Sequence, residues 1–163
     1  MTTIREGTSL DLPFLEEMLY EAFFWNSEVD RPPLVEARGR PEFLKSLADW
    51  GRAGDVVLVA GHTGVAVGAA WFRLWTPEVH SYGFVDEKTP ELGLAVVEGF
   101  RAHGVGRSLL RAAVDIAIRR AYPGLSLSVD PANLARRLYE SEGFCKVGEV
   151  GTSWTMWRKL PGH

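Results

Sequence analysis

The chain has 163 residues, of which 46% are hydrophobic and 24% charged, and a net charge of −3. These are ordinary values for a globular chain, and the length fits one domain, 1–163, with room for a substantial core. The charge opposes a general nucleic-acid binder, and the single cysteine excludes an intrachain disulfide and a cysteine-based metal cluster. Met1-Thr2-Thr3-Ile4-Arg5-Glu6 lacks the apolar run of a secretory leader, and no segment approaches the roughly 18 apolar residues of a membrane span. A cytoplasmic protein with no membrane, metal or nucleic-acid partner is expected.

Ile4 to Glu6 reads as a short first strand. Ser9 or Asp11 is suited to cap a helix with Pro13 in its first turn. Leu12, Leu15, Met18, Leu19 and Ala22 then recur at helical spacing to about Phe24. Pro32, Pro33 and Gly39 predict an irregular loop over 25–40. Pro41 starts a second helix, which Gly51 and Gly54 end. A strand over 55–60 leads into a hairpin turn at Gly61-His62-Thr63-Gly64. The next, longer strand covers 65–75 and stops at Pro77, because proline has no N–H for a ladder. After a loop containing His80, Tyr82 and Gly83, residues 92–97 predict another strand. The helix over 105–120 carries Val105, Leu109, Leu110, Ala113, Val114, Ala117 and Ile118 as one stripe. Residues 125–129 predict a strand and 134–142 a short helix closed by Gly143. Residues 144–150 and 153–158 form a closing antiparallel pair turned at Gly151. This order predicts an α/β (α+β) fold, with a central mixed sheet flanked by helices on both faces.

The most informative stretch runs from Val96 through Arg101-Ala102-His103-Gly104-Val105-Gly106-Arg107-Ser108. A strand end meets a turn with two glycines, and a helix opens directly after it. Gly104 and Gly106 allow a tight turn and put no side chain between backbone and ligand. The first helix amides have no partner within the helix, and with the dipole they make an anion site suited to a pyrophosphate. Arg101 and Arg107 add flanking cations. A dinucleotide fingerprint fails at Leu109, where its third glycine would stand, and a P-loop fails at Val105, where its lysine would stand.

Arg101-x-x-Gly104-x-Gly106 after a strand resembles the acyl-CoA-binding signature of the GNAT (GCN5-related N-acetyltransferase) superfamily. Downstream, Asn133-Leu134-Ala135-Arg136-Arg137-Leu138-Tyr139-Glu140-Ser141-Glu142-Gly143-Phe144 is similar to that family's Asn…Leu-Tyr-x-x-x-Gly-Phe segment. The element order also resembles the family fold, so the likeness covers nearly the whole chain. It implies acetyl-CoA as co-substrate, an amine acceptor, and a strand at Leu94, Ala95 and Val96 splayed from its neighbour. Backbone groups of that strand would pair with the pantetheine arm, and one amide would donate to the thioester oxygen. The side chains themselves read as core.

Tyr139 stands where the family often carries its general acid. A phenol is protonated at neutral pH and can donate to the departing thiolate, though an aromatic here also packs well on a helix face. Asn133 stands one place off the family spacing, which falls on Ala132; it is a cofactor contact or a helix N-cap. The amine needs a base before it attacks. Glu91 is the first candidate, at the head of Leu92-Gly93-Leu94, a pattern seen in many GNAT sequences; otherwise it is a solvated strand-end residue. His80 and Glu28 lie in loops that could border the acceptor. Trp25 and Tyr82, also in loops, could line a pocket for an apolar or aromatic amine. Cys145, in a predicted strand without a histidine nearby in sequence, reads as a buried, inert thiol.

The reading is direct acetyl transfer from acetyl-CoA to a primary amine in a ternary complex. The rivals are a non-catalytic acyl-CoA-binding or sensor module on the same fold, and an interaction domain with a vestigial site. Many relatives are dimers, which is the basis for expecting a homodimer.

Overall fold

The computed structural model describes residues 2–101 and 103–161. Seven strands form one sheet in the order β1-β2-β3-β4-β5-β7-β6. They are β1 (Thr2–Glu6), β2 (Val56–His62), β3 (Val65–Arg73), β4 (Glu91–Val96), β5 (Gly124–Val129), β6 (Cys145–Val150) and β7 (Ser153–Lys159). β4 and β5 pair in parallel; every other neighbour is antiparallel. The helices are α1 (Leu12–Phe23), α2 (Leu34–Ala37), α3 (Pro41–Leu47), α4 (Val105–Arg119) and α5 (Ala135–Ser141). The predicted mixed sheet with helices on both faces is the observed one.

Each face of the sheet has its own core. On one side the α4 stripe of Leu109, Leu110, Ala113 and Ala117 packs on Leu58, Ala70, Phe72, Leu125 and Leu127. On the other, Leu15, Met18 and Leu19 of α1 and Phe43 of α3 pack on Val57, Val59, Ala69 and Trp71. The alternation along β2 and β3 assigns successive residues to opposite cores. Each large aliphatic side chain buried this way contributes about 1.5–3 kcal/mol.

Local departures from the sequence reading have local causes. Asp11 stands at the N-cap of α1 without a side-chain cap bond, and the side-chain cap belongs to Thr8, one turn earlier: its hydroxyl accepts from Leu10 N–H, while the Asp11 carboxylate takes the Thr8 N–H at 2.8 Å. Those two contacts form a reciprocal capping box around a single 3-10 turn before α1. The expected loop over 25–40 contains α2. α3 ends at Leu47, well before Gly51. The hairpin turn narrows to Thr63 and Gly64, with φ of 50° and 84°, the two left-handed positions of a type I′ turn. Cys145 is exposed, not buried, because β6 is an edge strand with most of its side chains in solvent. Among the described residues, no helix is long and apolar enough to cross a membrane.

Candidate active site

The site begins with a missing stretch of ladder. β4 pairs with β5 only at Glu91↔Ser126 and Leu92↔Leu127, whereas its ladder to β3 continues to Gly68↔Val96. Past Leu92 the two strands part, and a cavity of about 920 Å³ opens between them. Val97 N–H donates to Val67 O of β3 at 2.8 Å, while Ser126 N–H of β5 donates to Pro90 O at 3.0 Å. Backbone groups alternate along a strand, so Leu94 and Val96 turn their amides and carbonyls to the gap. Ala95 turns its own to β3, which corrects the expectation for its backbone. The Val96 carbonyl accepts from Arg101 Nε at 2.9 Å.

Gly104, at φ 81°, is left-handed and caps α4 without a side-chain hydrogen bond. Ser108 N–H reaches Gly104 O at 3.0 Å as the first bond of the helix. The amides of Val105, Gly106 and Arg107 therefore have no carbonyl within α4. Gly104, Gly106, Leu94 and Val96 all line the cavity. A Cβ on Gly106 would stand 3.5 Å from Leu138 Cδ2 and 3.8 Å from Val96 Cγ2, so this helix turn lies directly against β4 and α5.

The flanking cations are engaged. Arg101 also reaches Glu21 at 3.3 Å. Arg107 contacts Ser141 Oγ at 3.2 Å and Glu142 at 3.3 Å. Both line the cavity, as flanking cations should, and each is also held beside an acceptor. The Val105 side chain is in the core, while His103 and Ser108 are exposed. Ala102 lies outside the described residues.

Glu91 is not a solvated strand-end residue. Its Oε1 is sealed from solvent without a hydrogen-bond partner, the Gly83 amide and the Trp75 indole lie beside the carboxyl, and Glu91 and Trp75 both line the cavity. Burial pushes the Glu91 carboxyl up to about 7; the Gly83 amide, the Trp75 indole and the Lys45 charge oppose that shift. A carboxyl poised there can take a proton at neutral pH. Gly83 makes the arrangement possible: a Cβ on it would lie 2.7 Å from Glu91 Cδ and 2.7 Å from the Leu127 carbonyl carbon.

Tyr139 is 6% exposed and meets Phe144 edge-on, with ring centroids 6.0 Å apart. It also lines the cavity, and burial raises its phenol above the ordinary range, so the hydroxyl stays protonated. The packing and cavity readings of this residue are both met by one position. Asn133 stands one residue before the α5 N-cap, Leu134; its Oδ1 accepts from Ala135 N–H at 3.0 Å, and it borders the cavity as well. Trp25 and Tyr82 reach the cavity. His80 stacks on Phe84 at 4.4 Å and is exposed, as is Glu28; neither lies along the cavity wall.

Sequence reasoning missed Arg73 and Trp75 as neighbours of Glu91 and Asp55 as the partner of Arg73. Arg73 faces Glu91 in the β3–β4 register. It forms a two-pronged pair with Asp55 at 2.9 and 2.8 Å, donates to Lys45 O at 3.0 Å, and lies over the Trp50 ring. The two charged side chains are 3% and 2% exposed. An arginine in a strand otherwise made of Val, Ala, Gly, Trp and Phe was the available signal.

The family model for the acetyltransferase (GNAT) family matches residues 13–144. Among solved structures, the ribosomal-protein-alanine N-acetyltransferase from Brucella melitensis is 27% identical, with 97% of this chain and 99% of that chain covered and a TM-score of 0.71. PaiA N-acetyltransferase from Thermoplasma acidophilum, solved with coenzyme A, is 18% identical over 98% and 99%, with a TM-score of 0.72. YncA from Salmonella typhimurium, solved with acetyl-CoA, is 24% identical over 100% and 96%, with a TM-score of 0.69. No curated protein matches the chain. With the family model spanning most of its length, the chain belongs to the GNAT acetyltransferase family.

Proposed function

We propose that the protein is an acetyl-CoA-dependent N-acetyltransferase acting on a primary amine by direct attack in a ternary complex. The observation that carries this reading is the cleft between β4 and β5. It joins the free amides of the α4 N-terminus to Leu94, Val96, Tyr139 and Glu91 in one cavity. Amides of Val105, Gly106 and Arg107 suit the pyrophosphate. The open edge of β4 suits the amides of the pantetheine arm, as an added strand would, and a Leu94 or Val96 N–H suits the thioester oxygen as charge develops on it. Glu91 removes a proton from the ammonium, the amine nitrogen attacks the carbonyl carbon, and Tyr139 protonates the sulfur as the C–S bond breaks, with the second proton shed by the attacking nitrogen restoring the phenol. Holding both substrates in one cleft contributes through orientation as much as through proton transfer.

Titration calorimetry with acetyl-CoA on wild type and Gly106→Trp tests the cofactor site. Gly106, unlike Gly104, has no positive φ, so a large side chain fills the cleft without backbone strain. The expected outcome is binding by wild type and none by a folded variant, with thiol released from wild type on adding an amine. Binding without thiol release on any amine would mark a non-catalytic acyl-CoA module; no binding at millimolar acetyl-CoA would remove both readings.

A further inference from the structure

The charges and rings of the cleft select the acceptor. Three cations line it among the described residues, and all are engaged. Arg73 is locked to Asp55, Arg101 to Glu21 and the Val96 carbonyl, and Arg107 to Glu142 and Ser141. Lys45, which also acts on Glu91, gives its ammonium to His80 O at 2.7 Å. On the acidic side, Glu21 is taken by Arg31 and Arg101, and Asp130 accepts from Ala132 N–H. Glu91 Oε1 is left, buried and without a donor. The Glu91 carboxyl has the Gly83 amide and the Trp75 indole beside it but no cation in contact, and each cation that lines the cavity is already on a carboxylate.

Five aromatic side chains share the lining, Phe23, Trp25, Trp71, Trp75 and Tyr82, with serines and aliphatic residues between them. Gly93 makes room for this wall, since a Cβ there would fall 2.3 Å from the Trp71 indole. Tyr82, 46% exposed at the mouth, is a large ring left in solvent until something covers it. Ring faces attract an ammonium and bury an apolar body.

From these juxtaposed features we infer that the acceptor is a small primary amine on an aromatic body, with no carboxylate beside the amine: an arylalkylamine, not a free amino acid. The inference rests on the acetyltransferase reading and names its substrate class. The ammonium sits at Glu91 and the ring lies among the tryptophans. An α-carboxylate would be brought within a few ångströms of the Glu91 carboxylate, where each lining arginine is already on a carboxylate, and like charges in a poorly solvated site repel strongly.

The test compares kcat/KM, by thiol release at saturating acetyl-CoA, for tryptamine, tryptophan and tryptophan methyl ester, and for phenethylamine against phenylalanine. Spermidine and a short peptide amide serve as non-aromatic amines. Tryptamine is expected to exceed tryptophan by about 100-fold or more, the scale at which a pocket rejects a mismatched group, and the ester is expected to recover most of the difference. Trp25→Ala and Tyr82→Ala are each expected to raise KM for tryptamine several-fold with acetyl-CoA affinity unchanged in calorimetry. Equal rates for tryptamine and tryptophan, or preference for spermidine or the peptide, would overturn the inference while leaving acetyl transfer standing. Absent acetyl-CoA binding would overturn both.

Discussion

Glu91→Gln separates the catalytic and the structural consequences of one buried carboxyl. In the unfolded chain this group titrates near 4.5; in the folded protein burial raises it to about 7. Below pH 4.5 both states bind the proton and the group has no effect on stability. Between those values the native state holds a proton that the unfolded state has released, so stability falls as pH rises. Above pH 7 the loss is complete. A shift of about 2.5 units at 1.36 kcal/mol each gives roughly 3 kcal/mol. Glutamine keeps the shape and removes the charge. The variant should therefore match wild type in Tm near pH 4.5 and exceed it by about 6–12 °C at pH 8.5, using 2–4 °C per kcal/mol for a chain of this size. Thermal melts from pH 4.5 to 8.5 read the difference directly. The same substitution should lower kcat/KM by about 10²–10⁴-fold, the usual contribution of a positioned base, and wild-type kcat/KM should rise with pH through about 7. A Tm difference that does not change with pH would refute the burial argument. An unchanged rate with the expected melt would show that the carboxyl is buried but is not the base.

Three further perturbations test neighbouring parts of the site. Asp55→Ala leaves the Arg73 charge buried without its carboxylate, and urea denaturation should show a loss of about 3–5 kcal/mol. Tyr139→Phe should lower kcat by about 10²–10⁴-fold with little change in KM for acetyl-CoA. Because burial holds the phenol protonated, the wild-type profile should show no alkaline limb from Tyr139 below pH ~10. Gly83→Ala forces a methyl against both the Glu91 carboxyl and the Leu127 backbone. It should cost about 1–3 kcal/mol and move the acidic limb of kcat/KM, whereas a change in stability alone would make Gly83 a packing residue only.

The fold was legible where one face of an element is apolar. The α4 stripe and the apolar strands 56–60 and 65–73 declare their period, and the cores on the two sheet faces follow from it. The glycine turn was legible because few residue types permit a left-handed helix cap, and Gly104 takes that conformation. The partners of ionic groups were not legible. Nothing in local spacing says that Arg101 will meet Glu21, that Arg107 will meet Glu142, or that Arg73 will be buried on Asp55; these depend on which elements the sheet order brings together. The same holds for Cys145, whose burial depends on whether a later strand covers β6, and none does.

The location of the cavity follows from the one change of direction in the sheet. Five of the seven strands have antiparallel neighbours only, but β4 must meet β5 in parallel after the α4 crossover, and it does so for two residue pairs. β5 remains committed to β7 along its length, from Gly124↔Lys159 to Val129↔Trp154, so β4 and β5 diverge beyond Leu92 and Leu127. The 76–90 loop is pinned at that fork: Thr155 of β7 donates to Tyr82 O at 2.9 Å, which seats Gly83 against Glu91 and Leu127. Hence the residue that would act as base, the backbone that would hold the acyl carbonyl and the aromatic wall for the acceptor converge where the ladder ends. Lengthening the parallel pairing by even one residue pair would close the open edge of β4 at Leu94, removing the free amide while leaving both cores intact.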